Sequence, residues 1–209
     1  MSKNPARNNS LLRDGDIRPL LHDWLWAEHS GSEDTSILHE VSIPRPSARM
    51  DVAVVNGAIC GFEIKSDADR LTRLRDQEPA FSAVCDKVSI VVTRRHLKRS
   101  RAAIPHWWGI VLVNCSGEQI TFEEKRKPRD NTRPNNRALL YMLTRAELRG
   151  VLRTRGTTKL TQSELIEHIL ATLAADDIRH RVREVLKGRS TFSYSSSSSS
   201  PKNASRPGA

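Results

Sequence analysis

The segment R-M-D-V-A-V-V-N-G-A-I-C-G-F-E-I-K, residues 49–65, decides the fold. Two apolar runs, residues 50–55 and 58–64, flank the dipeptide Asn56-Gly57. Asn-Gly between two apolar runs is a strong signal for a tight turn joining antiparallel strands. The segment therefore predicts a β-hairpin.

Three charged residues interrupt this apolar hairpin. Glu63 and Lys65 are two residues apart and so share one face of the second strand, opposite the face of Phe62 and Ile64. The turn folds Asp51 back beside Glu63. Charges inside an apolar strand are costly unless they are paired or bound to a cation. Two carboxylates and an ammonium are therefore predicted to converge at one edge of the sheet.

The arrangement of Asp51, the turn and Glu63-Ile64-Lys65 resembles the active site of the PD-(D/E)XK nuclease superfamily, the restriction-endonuclease-like fold. Met50 stands where the motif's name has proline. A small, largely uncharacterised bacterial nuclease-like family carries similar E-I-K-S-D and W-W-G-I motifs. A second match to E-x-K, Glu123-Glu124-Lys125, has no acidic residue on a preceding hairpin strand and is treated as a decoy.

The resemblance implies that Asp51, Glu63 and Lys65 are catalytic and that Mg²⁺ or Mn²⁺ is the cofactor. Asp51 and Glu63 would bind the cation, with the backbone carbonyl of Ile64 as a further ligand. Many members add an acidic residue upstream of the Asp, and Glu40 is the candidate here. The competing interpretation of Glu40 is a solvated or lysine-paired glutamate.

The flanking sequence predicts the remaining elements of an α/β fold. Helical spacing of apolar residues indicates a helix from Ile17 to about His29 with Asp16 as its cap, and residues 37–43 indicate a strand. After the hairpin come a helix interrupted by Pro79, a β-branched strand over 87–93, a short helix and two further strands. This order matches the αβββαβ core of the superfamily, with a mixed sheet.

The charge balance indicates a polyanionic partner. The chain carries a formal net charge of +10 and has a sequence pI of about 10.1. Arg70 and Arg73 make the helix after the hairpin basic, and Arg94 and Arg95 follow the next strand. We predict that these four residues contact nucleic acid. A solvated surface without a partner is the competing interpretation.

Gln77-Glu-Pro-Ala-Phe81 resembles the Q-x-x-x-Y motif of RecB-type nucleases, with Phe in place of Tyr. The resemblance implies that Gln77 lies close to the metal site and the nucleic acid. A surface glutamine beside a core phenylalanine is the alternative.

Apolar runs and cysteines bear on location. No apolar run approaches the roughly 20 residues needed to span a bilayer. The first ten residues contain no apolar signal-peptide core, and the three cysteines form no C-x-x-C pair. We expect a cytoplasmic protein without a membrane partner.

Composition shifts divide the chain into five parts. Residues 1–13 are predicted to be disordered, 14–126 to form the nuclease-like domain with a resemblance covering about 16–122, and 127–137 to be a basic linker. Residues 138–190 are predicted to be a small helical region and the Ser-rich residues 191–209 to be disordered. The helical region loosely resembles SAP-like DNA-binding modules. A helical appendage that shields the sheet or mediates homodimerisation is the alternative.

These observations predict a metal-dependent nuclease that hydrolyses phosphodiester bonds in nucleic acid, with DNA the expected substrate. Two alternatives stay open. One is a non-catalytic nucleic-acid-binding protein on a nuclease fold. The other is a protein-interaction module in which the acids and the lysine form only surface ion pairs.

Overall fold

The structure, a computed structural model, describes residues 11–29, 34–44, 47–117, 119–132, 134–152, 157 and 159–189. The predicted disordered ends, 1–13 and 191–209, lie outside the described residues except for 11–13. Within the described residues, no helix combines the length and apolar composition that crossing a membrane requires.

Six strands form one mixed sheet in chain order, β1-β2-β3-β4-β5-β6. β1 to β3 are antiparallel, β3 to β5 are parallel, and β6 is antiparallel to β5. The strands are β1 Ser36–Pro44, β2 Ser47–Val55, β3 Ile59–Lys65, β4 Lys87–Thr93, β5 Gly109–Ser116 and β6 Gln119–Arg126. The predicted mixed α/β architecture and the predicted hairpin are confirmed.

Helices cover both faces of the sheet. They are α1 Asp14–Glu28, α2 Leu74–Val84, α3 Arg94–Ala103, α4 Asn136–Tyr141, α5 Arg145–Leu152, α6 Gln162–Thr172 and α7 Ala175–Lys187, and a 3₁₀ turn at Leu71–Arg73 precedes α2. α2 runs through Pro79 as one helix. The prediction that Asp16 caps α1 is wrong, because the helix begins at Asp14, three residues before the predicted Ile17. Arg13 is the N-cap, and Asp16 lies inside the first turn, where it accepts a hydrogen bond from the backbone N–H of Arg13.

One face of the sheet packs against α1. Ile17, Leu21 and Leu25 of this helix are buried with Phe62 and Ile64 of β3 in one apolar cluster. The predicted inward orientation of Phe62 and Ile64 is therefore confirmed. Alternation then sends the side chains of Glu63 and Lys65 to the opposite face.

The opposite face packs against α2 and the C-terminal helices. One continuous apolar cluster joins residues of the strands to the apolar sides of α4 to α7. It also contains Phe81 and Trp108, and the rings of these two residues lie 5.8 Å apart. The predicted linker packs against the end of α2, since the side-chain amide of Asn131 donates to the backbone carbonyls of Ser82 and Cys85. The C-terminal helices thus share a core with the sheet.

The normal alternation of side chains breaks at one place in β1 and β2. Leu38 and Val41 are three residues apart yet lie in the same cluster, and so do Met50 and Ala53. Glu40 lies inside the first interval with a φ of +54°. A non-glycine residue in this left-handed region is strained by about 1–3 kcal/mol, and such residues concentrate at functional sites.

Asp51 lies inside the corresponding interval of β2. It is opposite Glu40, because the flanking pairs are His39 with Val52 and Val41 with Met50. The two predicted ligands therefore mark the point where both strands lose their regular pleat.

Close packing behind β3 gives a prediction on stability. A Cβ added to Gly61 would lie 2.9 Å from the sulfur of Cys85 and 2.9 Å from that of Met50. We expect Gly61→Ala to lower the free energy of unfolding by about 1–3 kcal/mol in urea denaturation, because both sulfurs are buried.

The matched control is Gly15→Ala in α1, where an added Cβ meets nothing within 4 Å. Because alanine favours a helix over glycine, this variant should be neutral or stabilised by up to about 1 kcal/mol. An equal response of the two variants would contradict the packing argument.

Candidate active site

A cleft of about 830 Å³ opens beside the hairpin, between α1 on one side and α2 on the other. Its wall contains Asp14, Arg18, Glu40, Ser42, Ser47, Ala48, Arg49, Asp51, Glu63, Ile64, Lys65, Asp69, Arg73, Asp76 and Gln77. All of the predicted catalytic and metal-binding residues therefore line one cleft. Of the five predicted nucleic-acid contacts, Arg73 and Gln77 line it, while Arg70, Arg94 and Arg95 lie outside it.

The strand register places Asp51 beside Glu63. β2 and β3 pair from Val55 with Ile59 to Val52 with Phe62, and one further step brings the two carboxylates opposite each other. Beyond this step the Ile64 backbone N–H donates to Oδ2 of Asp51 at 2.8 Å. At the end of the ladder the Asp51 carboxylate thus accepts the hydrogen bond of a strand N–H in place of a backbone carbonyl, and this bond fixes the position of the carboxylate.

Glu63 is almost fully buried, with 2% of its surface exposed. Its Oε1 accepts hydrogen bonds from Lys65 Nζ at 2.5 Å and from Gln77 Nε2 at 2.7 Å. Gln77 also accepts from Lys65 through its Oε1 at 3.2 Å, which closes a three-residue network. The other carboxylate oxygen, Oε2, is buried without a hydrogen-bond partner.

This environment disfavours the charged form of Glu63. Burial, and next the negative charge of Asp51, raise the pKa of Glu63 to about 7, against the opposing effects of Lys65 and Gln77. A carboxylate with a buried, unpartnered oxygen and a raised pKa is poised to bind a positive charge.

The raised pKa gives a pH-dependence prediction for the metal-free protein. Because the folded state holds this proton more tightly than the unfolded chain, the contribution of Glu63 to stability is present below the ordinary pKa of 4.5 and is lost as the pH rises through about 7. Relative to Glu63→Gln, we expect the wild type to lose roughly 1–3 kcal/mol of unfolding free energy between pH 5 and pH 8.

Urea unfolding of both proteins in EDTA across this pH range measures the difference. All other titrating groups are shared, so the difference between the two curves isolates Glu63. Parallel curves would contradict the raised pKa.

Arg18 of α1 was missed in the sequence, and it connects the acidic residues of the cleft. Its guanidinium donates to both carboxylate oxygens of Asp14 at 2.9 Å and to Oδ1 of Asp51 at 3.0 Å. It also donates to the backbone carbonyl of Asp51 at 2.7 Å and lies 2.7 Å from Oε1 of Glu40. Although burial opposes it, the carboxylates of Asp14 and Asp51 raise the pKa of Arg18 above its ordinary value.

The only sequence signal for Arg18 was its i,i+4 spacing from Asp14, which is common on helix surfaces. Its contacts with Asp51 span 33 residues, and no local pattern encodes them. Glu40, in turn, pairs with Arg18 and Arg49. Among the described residues, no three His, Cys, Asp or Glu side chains are grouped as a metal-binding set.

A basic surface lies next to the cleft. Its eight exposed cations come from the 3₁₀ turn with its flanks and from α3: Arg70, Arg73, Arg75, Arg94, Arg95, Lys98, Arg99 and Arg101. Within the part of the chain that the structure describes, none of the eight has an ion-pair partner.

The register joins the basic surface to the cleft. Lys65 pairs with Val92 in the parallel ladder, and α3 begins at Arg94, two residues later. α3 has no acidic residue in its first turn, where acids would be favourable, and carries Arg94 and Arg95 there instead. A locally unfavourable charge pattern of this kind is expected where function requires it.

The chain matches a known protein family. A family model described as "Bacteriophage P4 protein cII" matches residues 7–207. Protein cII of Enterobacteria phage P4 is 30% identical over 174 residues, which cover 83% of this chain and 65% of that protein. The matched part of the chain thus spans just under two thirds of the length of this relative.

A solved structure, a Silicibacter pomeroyi protein of unknown function, was also compared. It is 17% identical, covering 90% of this chain and 99% of its own, with a TM-score of 0.38.

Proposed function

The chain belongs to the bacteriophage P4 protein cII family, and we propose that its cleft is the active site of a metal-dependent nuclease that hydrolyses phosphodiester bonds in nucleic acid, with DNA the expected substrate. The observation that carries the proposal is the buried, unpartnered Oε2 of Glu63 in a cleft that also contains Asp51 and Lys65. The proposal includes a restriction-endonuclease-like core, formed by α1, β1 to β3, α2, β4, α3 and β5.

The residues of the cleft fit a hard divalent cation. Mg²⁺ prefers oxygen ligands and keeps several waters, so two carboxylates are sufficient protein ligands. Asp51 and Glu63 would hold the cation, Ile64 would contribute its carbonyl, and Glu40 would be an additional ligand. Bound Mg²⁺ or Mn²⁺ would lower the pKa of a water and polarise the phosphate.

Lys65 supplies positive charge at the reacting phosphate. Its ammonium is buried and held by Glu63 and Gln77, so its position is fixed before the substrate arrives. A buried, preorganised charge stabilises the developing negative charge more than a mobile surface lysine does. Gln77 acts as a positioning residue, because it contacts both partners of this ion pair.

Substrate binding is assigned to the basic surface. Exposed, unpaired arginine and lysine side chains attract phosphates irrespective of base sequence. The proposed contacts Arg70, Arg94 and Arg95 belong to this surface, and Arg73 belongs to both the surface and the cleft wall. A nucleic acid lying along the surface would reach the cleft at Lys65.

The alternative function is a non-catalytic nucleic-acid-binding protein. The contact of Arg18 with Asp51 favours it, because an acid neutralised by an arginine requires no metal. Both functions share the basic surface and differ only in the cleft.

Nuclease assays separate the two functions. The protein, freed of metal with EDTA, is incubated with supercoiled plasmid and with end-labelled single- and double-stranded oligonucleotides, in Mg²⁺, Mn²⁺ or EDTA. We expect cleavage only with a divalent cation. Salt-sensitive binding without cleavage under every condition would support the alternative and overturn the nuclease.

A further inference from the structure

The carboxylate oxygens that face the cleft are already largely occupied by donors of the protein itself. Oδ1 of Asp51 accepts from Arg18 and Oδ2 accepts from the Ile64 backbone N–H. Oε1 of Glu63 accepts from Lys65 and Gln77. Among these four oxygens, only Oε2 of Glu63 lacks a donor.

Arg18 touches three of the acidic residues in the cleft wall. It contacts Asp14, Glu40 and Asp51, and only 14% of its side chain is exposed. Its contacts with the Asp51 side chain and with the Asp51 backbone carbonyl hold it against the strand. A half-buried guanidinium in this position neutralises the same charges that would attract a divalent cation.

We propose that Arg18 is a built-in counter-cation that competes with the divalent metal for Asp51. This inference rests on the proposed metal site and adds a regulatory property to it. In the absence of metal, Arg18 keeps the acids paired and α1 attached to β2. Metal binding requires the guanidinium to give up Oδ1 of Asp51, because two positive charges at one carboxylate oxygen repel each other.

Glu40 provides the alternative position for the guanidinium. It already contacts Arg18, and its side chain is 40% exposed, whereas that of Asp51 is 16% exposed. The left-handed backbone of Glu40 holds its carboxylate beside Arg18. When Arg18 leaves Asp51 it therefore retains a carboxylate partner nearer to solvent.

The experiment measures Mn²⁺ binding by electron paramagnetic resonance of the free ion, without any substrate. A unit charge within about 4–6 Å shifts a proton affinity by roughly one to three powers of ten, so Arg18→Met should bind Mn²⁺ at least about tenfold more tightly than wild type. Arg18→Lys keeps a charge but fewer donors, and should lie between the two.

Arg49→Met is the matched control. Arg49 is the second arginine that pairs with Glu40, so this variant also removes one positive charge beside that carboxylate. The Arg49 side chain is 64% exposed, however, and it forms no ion pair with Asp51. It should change Mn²⁺ affinity by less than about threefold, because exposed charges are screened by solvent.

The outcomes separate the inference from the function on which it rests. Tighter binding by Arg18→Met, with little change in Arg49→Met, supports the competition. Equal or weaker binding by Arg18→Met, while wild type binds Mn²⁺, overturns it and leaves the metal site standing. Absence of Mn²⁺ binding in all the proteins overturns both. If Arg18→Met does not fold, Arg18→Lys is judged by the same criterion.

Discussion

Asp51→Asn should abolish metal-dependent cleavage, with a loss on the order of 10³-fold in rate. Asparagine retains an oxygen that can accept the Ile64 N–H but lacks the negative charge needed to bind the cation. The fold should therefore survive while the chemistry is lost. Plasmid nicking measured beside thermal unfolding distinguishes the two effects.

Glu63→Gln and Lys65→Met should cause comparable losses for different reasons. Glu63→Gln removes a buried carboxylate oxygen that has no hydrogen-bond partner, whereas Lys65→Met removes the buried ammonium proposed to lie beside the reacting phosphate. We expect losses of about 10²–10³-fold for each.

The control uses the second match to the E-x-K pattern. Glu123 and Lys125 lie on β6 and contact each other, but the Glu123 side chain is 49% exposed and lies outside the cleft. Glu123→Gln should leave cleavage unchanged. Loss of cleavage in this variant, with activity preserved in Asp51→Asn, would place the chemistry elsewhere.

The hairpin and the burial of its apolar side chains could be predicted from the sequence because both depend on local rules. Asn56-Gly57 specifies a turn, and alternation assigns Phe62 and Ile64 to the face covered by α1. β4 was predicted with its observed bounds, because its β-branched run is continuous and closed at each end by a charged residue or a helix start.

The electrostatics of the cleft could not be predicted in the same way. The Arg18 contact with Asp51 depends on how α1 packs across the sheet, and the left-handed conformation of Glu40 breaks the alternation on which strand reasoning rests. Glutamate is not a residue that normally marks a positive φ. Local patterns therefore identify the acids but not their partners.

The C-terminal helices show the same limit for packing. Thr144 and Thr161 are each followed three residues later by a glutamate, the capping-box spacing, and their backbone N–H groups donate to Glu147 and Glu164 at the starts of α5 and α6. The sequence of their apolar faces, however, does not identify the surface against which these helices pack. In the structure they cover the same sheet face as α2, and the SAP-like, shielding and homodimer interpretations stay predictions.

Neutralising the basic surface should weaken nucleic-acid binding by roughly 10- to 100-fold and flatten its salt dependence. The variant replaces Arg95, Lys98 and Arg99 of α3 with glutamine. These residues are exposed and have no ion-pair partner among the described residues, although Arg95 donates to the backbone carbonyl of Asp67. Arg99 lines a groove of about 460 Å³ together with Arg75. Because each phosphate contact contributes about 0.9 to the slope of log K against log salt, three lost contacts should reduce that slope by up to about 2.7.

The matched control removes three exposed cations that lie outside α3. Lys127 and Arg129 follow β6 near the start of β5, where the Arg129 N–H donates to Trp107, and Lys159 lies before α6. Their replacement by glutamine lowers the net charge equally but leaves α3 intact. We expect the control to keep most of the affinity and the slope, measured by fluorescence anisotropy with a labelled duplex. Equal losses in the two variants would mean that net charge alone attracts the nucleic acid, and α3 would then not be its contact surface.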